Sequence, residues 1–290
     1  MDAINVRLHQ HRHWLSQSEG MTAQELDFID EDLASDSLNG LDNVAESLGM
    51  LATYHGIRGE VAISDGEASG WEQVSRSMMY RYWTLMLKAK TFSKTSFLQG
   101  LRTVPNLTNQ LSIAGCLLAG LIAVDRRDLA ASVADVLAGM LSVKGAVDSS
   151  YLERRRFEPF MLWLYSVYSQ GAALPEIKSM DLGIYQNVID EWKNEQGLAD
   201  ALEALCRYHL SHAEDDGGGA WDPEFKYAPF DLLPLEVHAI FQVRQQLGLA
   251  VPAVSSPLLS TETAAVENLV IISDQLAIRV ETAYERFFGL

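Results

Sequence analysis

Cysteine and proline are scarce in these 290 residues, with two of the first and eight of the second. Two cysteines cannot build a disulfide framework. Cys116 and Cys206 each stand among apolar helical residues, which predicts reduced core thiols. Basic residues are also few: Lys and Arg total 22 against 39 Asp and Glu, for a formal charge of −17. That balance argues against nucleic acid and anionic membranes as partners, because both attract cations. Long apolar runs are missing too. The most apolar stretch, "LSIAGCLLAGLIAV" at 111–124, has 14 residues. It is short for a membrane span and right for a buried helix. The opening "MDAINVRLHQHRHWL" lacks the apolar centre of a secretion signal. The expectation is a cytoplasmic chain. Alternating β patterns are nearly absent, "EVAI" at 60–63 being the one candidate strand.

What is present suits a folded protein. An apolar share of 48% with 21% charged residues can bury a core. The length allows one large domain or two small ones, and a single domain over 1–290 is the expectation. Charge is unevenly spread. Residues 1–72 hold 14 acids and 3 bases, residues 73–180 hold 7 and 13, and residues 181–290 hold 18 and 6. Two acidic flanks therefore enclose a mildly basic, apolar middle. Acidity of this kind favours solubility. It also suits a basic partner, since complementary fields speed encounter.

Helical periodicity dominates. Leu26, Ile29 and Leu33, then Leu41, Val44, Leu48 and Leu51, recur at spacings that predict one buried face. Thr22 with Glu25 reads as a capping box, and Asn39-Gly40 as a break between two helices. The acids Glu25, Asp27, Asp30, Glu31, Asp32 and Asp36 fall mostly off the apolar stripe. Asp27 and Glu31 are one turn apart, as are Asp32 and Asp36, and like charges at that spacing weaken a helix slightly. A helix that keeps six acids keeps them either as a solvated face or for a partner. Residues 70–94 read as a core helix, apolar nearly all round. Further helices are expected over 107–124, 126–141, 151–171, 183–196, 197–212 and 261–288, the first two forming an antiparallel hairpin at Asp125-Arg126. The fold class is all-α, a multi-helix bundle of antiparallel hairpins.

Motifs for chemistry are mostly lacking. No phosphate loop, dinucleotide fingerprint or nucleophile elbow occurs. His209 and His212, three apart, could share a helix face, with Glu214 as a third metal ligand. The repeated Glu-x-x-His pairs of a helical di-metal bundle are missing, however, and histidines at a helix C-terminus also suit its dipole. "DED" at 30–32 resembles half of the Asp-rich magnesium site of prenyl-transfer enzymes, without its second half. His11 and His13 read as surface polar residues beside a packed Trp14. No catalytic, cofactor or metal residue is assigned.

The stretch "HAEDDGGGAWDPEF" at 212–225 differs from its surroundings. Glu214, Asp215 and Asp216 run into three glycines, then into Trp221 and Asp222. Those acids would repel phosphate. A connector is the plain reading. The alternative is a binding loop with Trp221 as an aromatic anchor among acids.

Further on, "LLPLEVHAIFQVRQQLGLAVPAVSSPLLS" at 232–260 places Leu233, Pro234 and Leu235 before a helix, Arg244, Gly248 and Leu249 at its end, and Val251, Ser256, Pro257, Leu258 and Leu259 beyond it. This pattern resembles the C-terminal segment of the Immunity protein 49 family of bacterial polymorphic-toxin immunity proteins. The family pattern continues with Pro where Ser260 stands here. The resemblance spans about 30 residues of packing type. It implies a mostly helical, intracellular protein of polymorphic-toxin or type VI secretion systems, which binds and neutralises a cognate toxin. A basic nuclease, a DNase, is the favoured toxin class, since an acidic inhibitor can cover a nucleic-acid-binding surface. Glu25, Asp27, Asp30, Glu31, Asp32, Asp36, Glu214, Asp215, Asp216, Trp221 and Asp222 are the candidate partner-binding residues. The alternatives are an all-α metal-dependent enzyme at His209 and His212, and a helical scaffold or regulator.

Overall fold

The computed structural model describes residues 3–18, 20–95, 107–170, 182–213 and 223–289. Of these residues 75% are helical, and no β-strand occurs among them. The all-α reading holds. The chain divides into two compact units: residues 1–110 with 269–290, and residues 111–268. The 72/73 charge boundary falls inside a single helix, so charge segments and folding units do not coincide.

The first unit contains α1 (Ala3–Gln17), α2 (Met21–Ala34), α3 (Leu38–Ser64), α4 (Gly70–Thr95) and the last helix, α12 (Gln275–Phe288). The α3–α4 hairpin is its centre. The two helices approach closely at Gly59 and Gly70: a Cβ on Gly59 would lie 2.9 Å from the Gly70 carbonyl oxygen, and one on Gly70 would lie 2.7 Å from that of Gly59. Only glycine leaves room for that crossing. As expected, Val74, Met78, Met79, Tyr82, Trp83, Leu85, Met86 and Leu87 of α4 are all buried.

Several local expectations are corrected. Helix α2 begins at Met21 behind Gly20, whose φ is 84°, and no side chain caps it, so Thr22 lies inside the helix. The break between α2 and α3 comes at 35–37, before Asn39-Gly40. Asp36 takes the left-handed conformation there (φ 45°), and the Ser37 hydroxyl accepts the Gly40 N–H at 2.9 Å as a cap. "EVAI" is helical, the last part of α3. The stripe on α2 is also narrower than its spacing suggests: Ile29 alone is buried, and Leu26 is 41% exposed.

The expected helix over 261–288 starts only at Gln275. Short 3₁₀ turns precede it, then an extended run in which Leu269 and Ile271 are buried while Val270 and Ile272 are exposed. That period of two is the geometry of an extended chain lying on a surface. Asp274 ends the run. Its carboxylate caps α12 through the Ala277 N–H at 2.9 Å, accepts the Tyr80 hydroxyl at 2.6 Å and meets Arg76 at 3.0 Å.

The second unit contains α5 (Leu111–Ala123), α6 (Arg127–Ser142), α7 (Ser149–Leu152), α8 (Phe157–Ser169), α9 (Ile184–Asp190), α10 (Glu195–Ser211) and α11 (Leu235–Gln246). Helix α5 is buried from Leu111 to Ile122, packed by α6, α8 and α11. The hairpin from α5 to α6 turns at Asp125 (φ 54°), close to its expected place. The expected helix over 151–171 is split into α7 and α8, because residues 153–156 break away and carry Arg155 into the interior. The 232–260 stretch is packing: Pro234 precedes α11, Arg244 donates to the Ala250 and Trp192 carbonyls, and Gly248 turns the chain at φ 67°. No helix among the described residues is long and apolar enough to cross a membrane.

Candidate partner-binding surface

Six of the candidate residues lie on or just after α2. Asp27, Asp30, Glu31 and Asp36 are exposed, and Glu25 and Asp32 are half-buried. They separate into two groups. Asp30 accepts from Arg279 at 2.5 Å and Asp36 from Arg286 at 2.8 Å, so α12 supplies counter-charges along one flank. Asp32 accepts from Asn43 Nδ2 at 3.1 Å on the α3 flank. Glu25, Asp27 and Glu31 have no side-chain hydrogen bond or ion pair among the described residues. Between these acids the same helix exposes Leu26 and Phe28, the latter by 43%. Apolar residues alternating with acids along a lone helix give no sequence signal for exposure, and the spacing of Leu26 pointed the other way.

Glu214, Asp215, Asp216, Trp221 and Asp222 lie outside the described residues.

Other acids are buried: Glu60 of the first unit is 0% exposed and 3.2 Å from His11, itself buried rather than at the surface as expected, and the second unit holds four more. Glu158, Glu224, Asp231 and Glu236 are each at most 1% exposed. Arg155, 2% exposed, forks onto Glu158, its Nε lying 3.0 Å from both carboxylate oxygens, and also donates to the Ser112 hydroxyl at 2.9 Å. Glu224 accepts from the Tyr185 hydroxyl at 3.4 Å, and its Oε1 has no hydrogen-bond partner among the described residues. Burial raises the Glu224 pKa to about 7; Arg155 opposes the shift and Glu158 reinforces it.

His209 is fully buried, with Nδ1 2.9 Å from Glu236 Oε1, Nε2 3.3 Å from the Asp231 carbonyl and its ring stacked on Phe225. Burial alone would lower its pKa, but Glu236 and Asp231 together outweigh that and raise it. Neither ring nitrogen is open to a metal. His212 stacks on Tyr208, with Nδ1 2.9 Å from the Tyr208 carbonyl, so the two histidines do not offer the shared ligand face that their spacing allowed. The Arg155–Glu158 pair was also missed in the sequence. In "LERRRFEP" it looks like surface charge, and its only local signal is the spacing of three.

Comparison of the chain with family models, curated proteins and solved structures gave no match.

Proposed function

We propose that this protein is an immunity-type inhibitor that binds a basic toxin domain stoichiometrically in the cytoplasm and carries out no chemistry itself. The observation that carries the reading is α2: Glu25, Asp27 and Glu31 are exposed or half-exposed without partners among the described residues, beside exposed Leu26 and Phe28. Unpaired acids raise the encounter rate with a basic protein, and apolar side chains among them hold it once bound. The favoured target is a nuclease, whose own substrate demands a basic surface. The 232–260 resemblance to Immunity protein 49 supports the same reading.

The test is co-expression with each gene encoded beside this one whose product stops growth when expressed alone. Growth should be rescued, and the purified pair should elute as a defined complex with a fixed ratio. Rescue absent, with no complex at micromolar concentration, rejects the reading. A metal-dependent enzyme would have to draw its ligands from elsewhere, because both ring nitrogens of His209 are engaged internally.

A further inference from the structure

The face shared by α2 and α3 has a chemistry that selects its occupant. The Asn43–Asp32 hydrogen bond sets the antiparallel pairing of the two helices. One turn before Asp32 stands Phe28; in the turns after Asn43 stand Glu46 and Met50. Counting back along α2 and forward along α3 from that bond sets Phe28 opposite the turn of α3 that lies between Asn43 and Met50, and Phe28 and Met50 are 43% and 44% exposed. One turn beyond Met50 is the half-buried Tyr54, whose ring centroid lies 6.4 Å from that of Trp14 on α1. Phe28 on α2, Met50 and Tyr54 one turn apart on α3, and Trp14 on α1 thus offer exposed or half-buried apolar and aromatic surface along these helices. Phe, Met, Tyr and Trp are the side chains enriched where proteins dock.

Charge decides what can lie there. Asp27 and Glu31 border the Phe28 end with no ion pair among the described residues. Glu46 borders it from α3; Lys88 reaches Glu46 at 2.5 Å and Asp42 at 2.9 Å, so that cation is already shared between two acids. A second copy of this chain, at −17, would bring more acid to an acidic rim. A lipid surface or a nucleic acid would bring phosphate. A groove between antiparallel helices receives a third helix through residues spaced three and four apart.

The geometry points to a docking site for a basic amphipathic helix of a partner protein, its apolar side on Phe28 and Met50 and its cations on Asp27, Glu31 and Glu46. This deepens the inhibitor reading and rests on its basic partner, but it is tested separately.

The probe is a synthetic helix of about 18 residues with Leu at helical spacing and Lys elsewhere. A peptide of the same composition in scrambled order is the control. The full chain carries ¹³C-methyl methionine. The Met50 methyl resonance, assigned by Met50→Leu, should shift with the helix and stay in place with the scrambled peptide. Phe28→Ala with Met50→Ala should weaken binding about tenfold or more. Asp27→Lys with Glu31→Lys should weaken it mainly at low salt. All four positions are at the surface, so unchanged thermal unfolding identifies variants that still fold.

A Met50 signal that does not move, or equal affinity for the scrambled peptide, overturns the site. If the helix binds here but no growth-stopping product of a neighbouring gene is neutralised, the site stands and the inhibitor reading falls. If the toxin is neutralised equally well by the Phe28→Ala, Met50→Ala variant, the reading stands and this site is wrong.

Discussion

Glu31 and Glu224 are the same side chain in opposite solvents. Glu31 projects from α2 into water without a partner among the described residues; Glu224, 1% exposed, lies in the second unit beside Arg155, Glu158 and Tyr185. The two flanks of the chain are almost equally acidic, yet their acids do different work. In the first unit the unpaired acids are cheap to keep, since water screens them and neighbouring surface charges interact weakly. A buried carboxylate, such as Glu60 in the first unit or those of the second, must be matched by a donor or hold its proton. Net charge therefore says little about the 181–290 flank as a contact surface: Glu224, Asp231 and Glu236 belong to the interior.

The comparison breaks most sharply at Arg155. Removing Glu158 leaves a guanidinium buried without its carboxylate, so Glu158→Ala should destabilise the protein by about 3–5 kcal/mol. Glu31→Ala should change stability by about 0.5 kcal/mol or less. Urea unfolding of both variants measures the contrast. A loss below about 1 kcal/mol for Glu158→Ala would mean that the pair is worth no more than a surface ion pair and that the two environments are alike.

Next in size is a pH effect. The Glu224 pKa is raised from 4.5 to about 7, so the folded chain holds this proton more tightly than the unfolded chain does. The resulting stability is fully present below pH 4.5 and is lost as pH rises through about 7. Its size is on the order of 3 kcal/mol. Glu224→Gln should flatten the dependence of the urea midpoint on pH across that window. The raised pKa of His209 has the same sign, but its contribution is lost only above its unfolded value of 6.5, so a decline that persists there in the Gln variant has the sign expected of His209. An unaltered slope between pH 4.5 and 6.5 would show that Glu224 is ionised throughout.

These contrasts explain how far the sequence could be read. Helix α4 was legible because its large apolar side chains, from Val74 to Leu87, fall on nearly every face of the helix, which predicts burial all round. The hairpin between α5 and α6 was legible from one short polar junction. Helix α2 was not: the spacing of Leu26, Ile29 and Leu33 describes an amphipathic helix, but how much of the stripe is covered depends on what packs against it, and only Ile29 is covered. The 261–274 stretch failed for a related reason. Asp274 fixes where α12 starts through bonds to Tyr80 and Arg76, nearly two hundred residues away in the chain. The buried acids failed because "LERRRFEP" has the composition of a solvated turn. The acids of α2 could be grouped from the sequence, while their division into paired and unpaired sets depends on Arg279 and Arg286 of α12 and Asn43 of α3.

A smaller effect sharpens the comparison within the first unit itself. Asp274, with 28% of its side chain exposed, caps α12 and meets both Tyr80 and Arg76. Asp274→Ala should cost about 1–2 kcal/mol, the upper range for a lost helix cap. Asp30→Ala, which gives up only the exposed Arg279 pair, should cost about 0–1 kcal/mol. Thermal unfolding ranks the two, and equal losses would mean that the α12 flank holds α2 as firmly as its own cap holds α12.

The smallest effect on stability should be the largest on association. Asp27 and Glu31 have no partners to lose, and they stand one turn apart, so their repulsion weakens α2 slightly. Asp27→Lys alone converts that repulsion into an attraction to Glu31, and stability should rise by a few tenths of a kcal/mol. Binding should move the other way. The variant loses one attractive rim charge and gains a repulsive one, so association with a basic toxin domain should slow at low ionic strength, while dissociation stays nearly constant. At about 1 M salt the screening length falls to roughly 3 Å and the two proteins should associate at similar rates. Stopped-flow mixing at two salt concentrations measures this. A variant that is more stable and associates as fast as the original at low salt would place the contact surface away from α2.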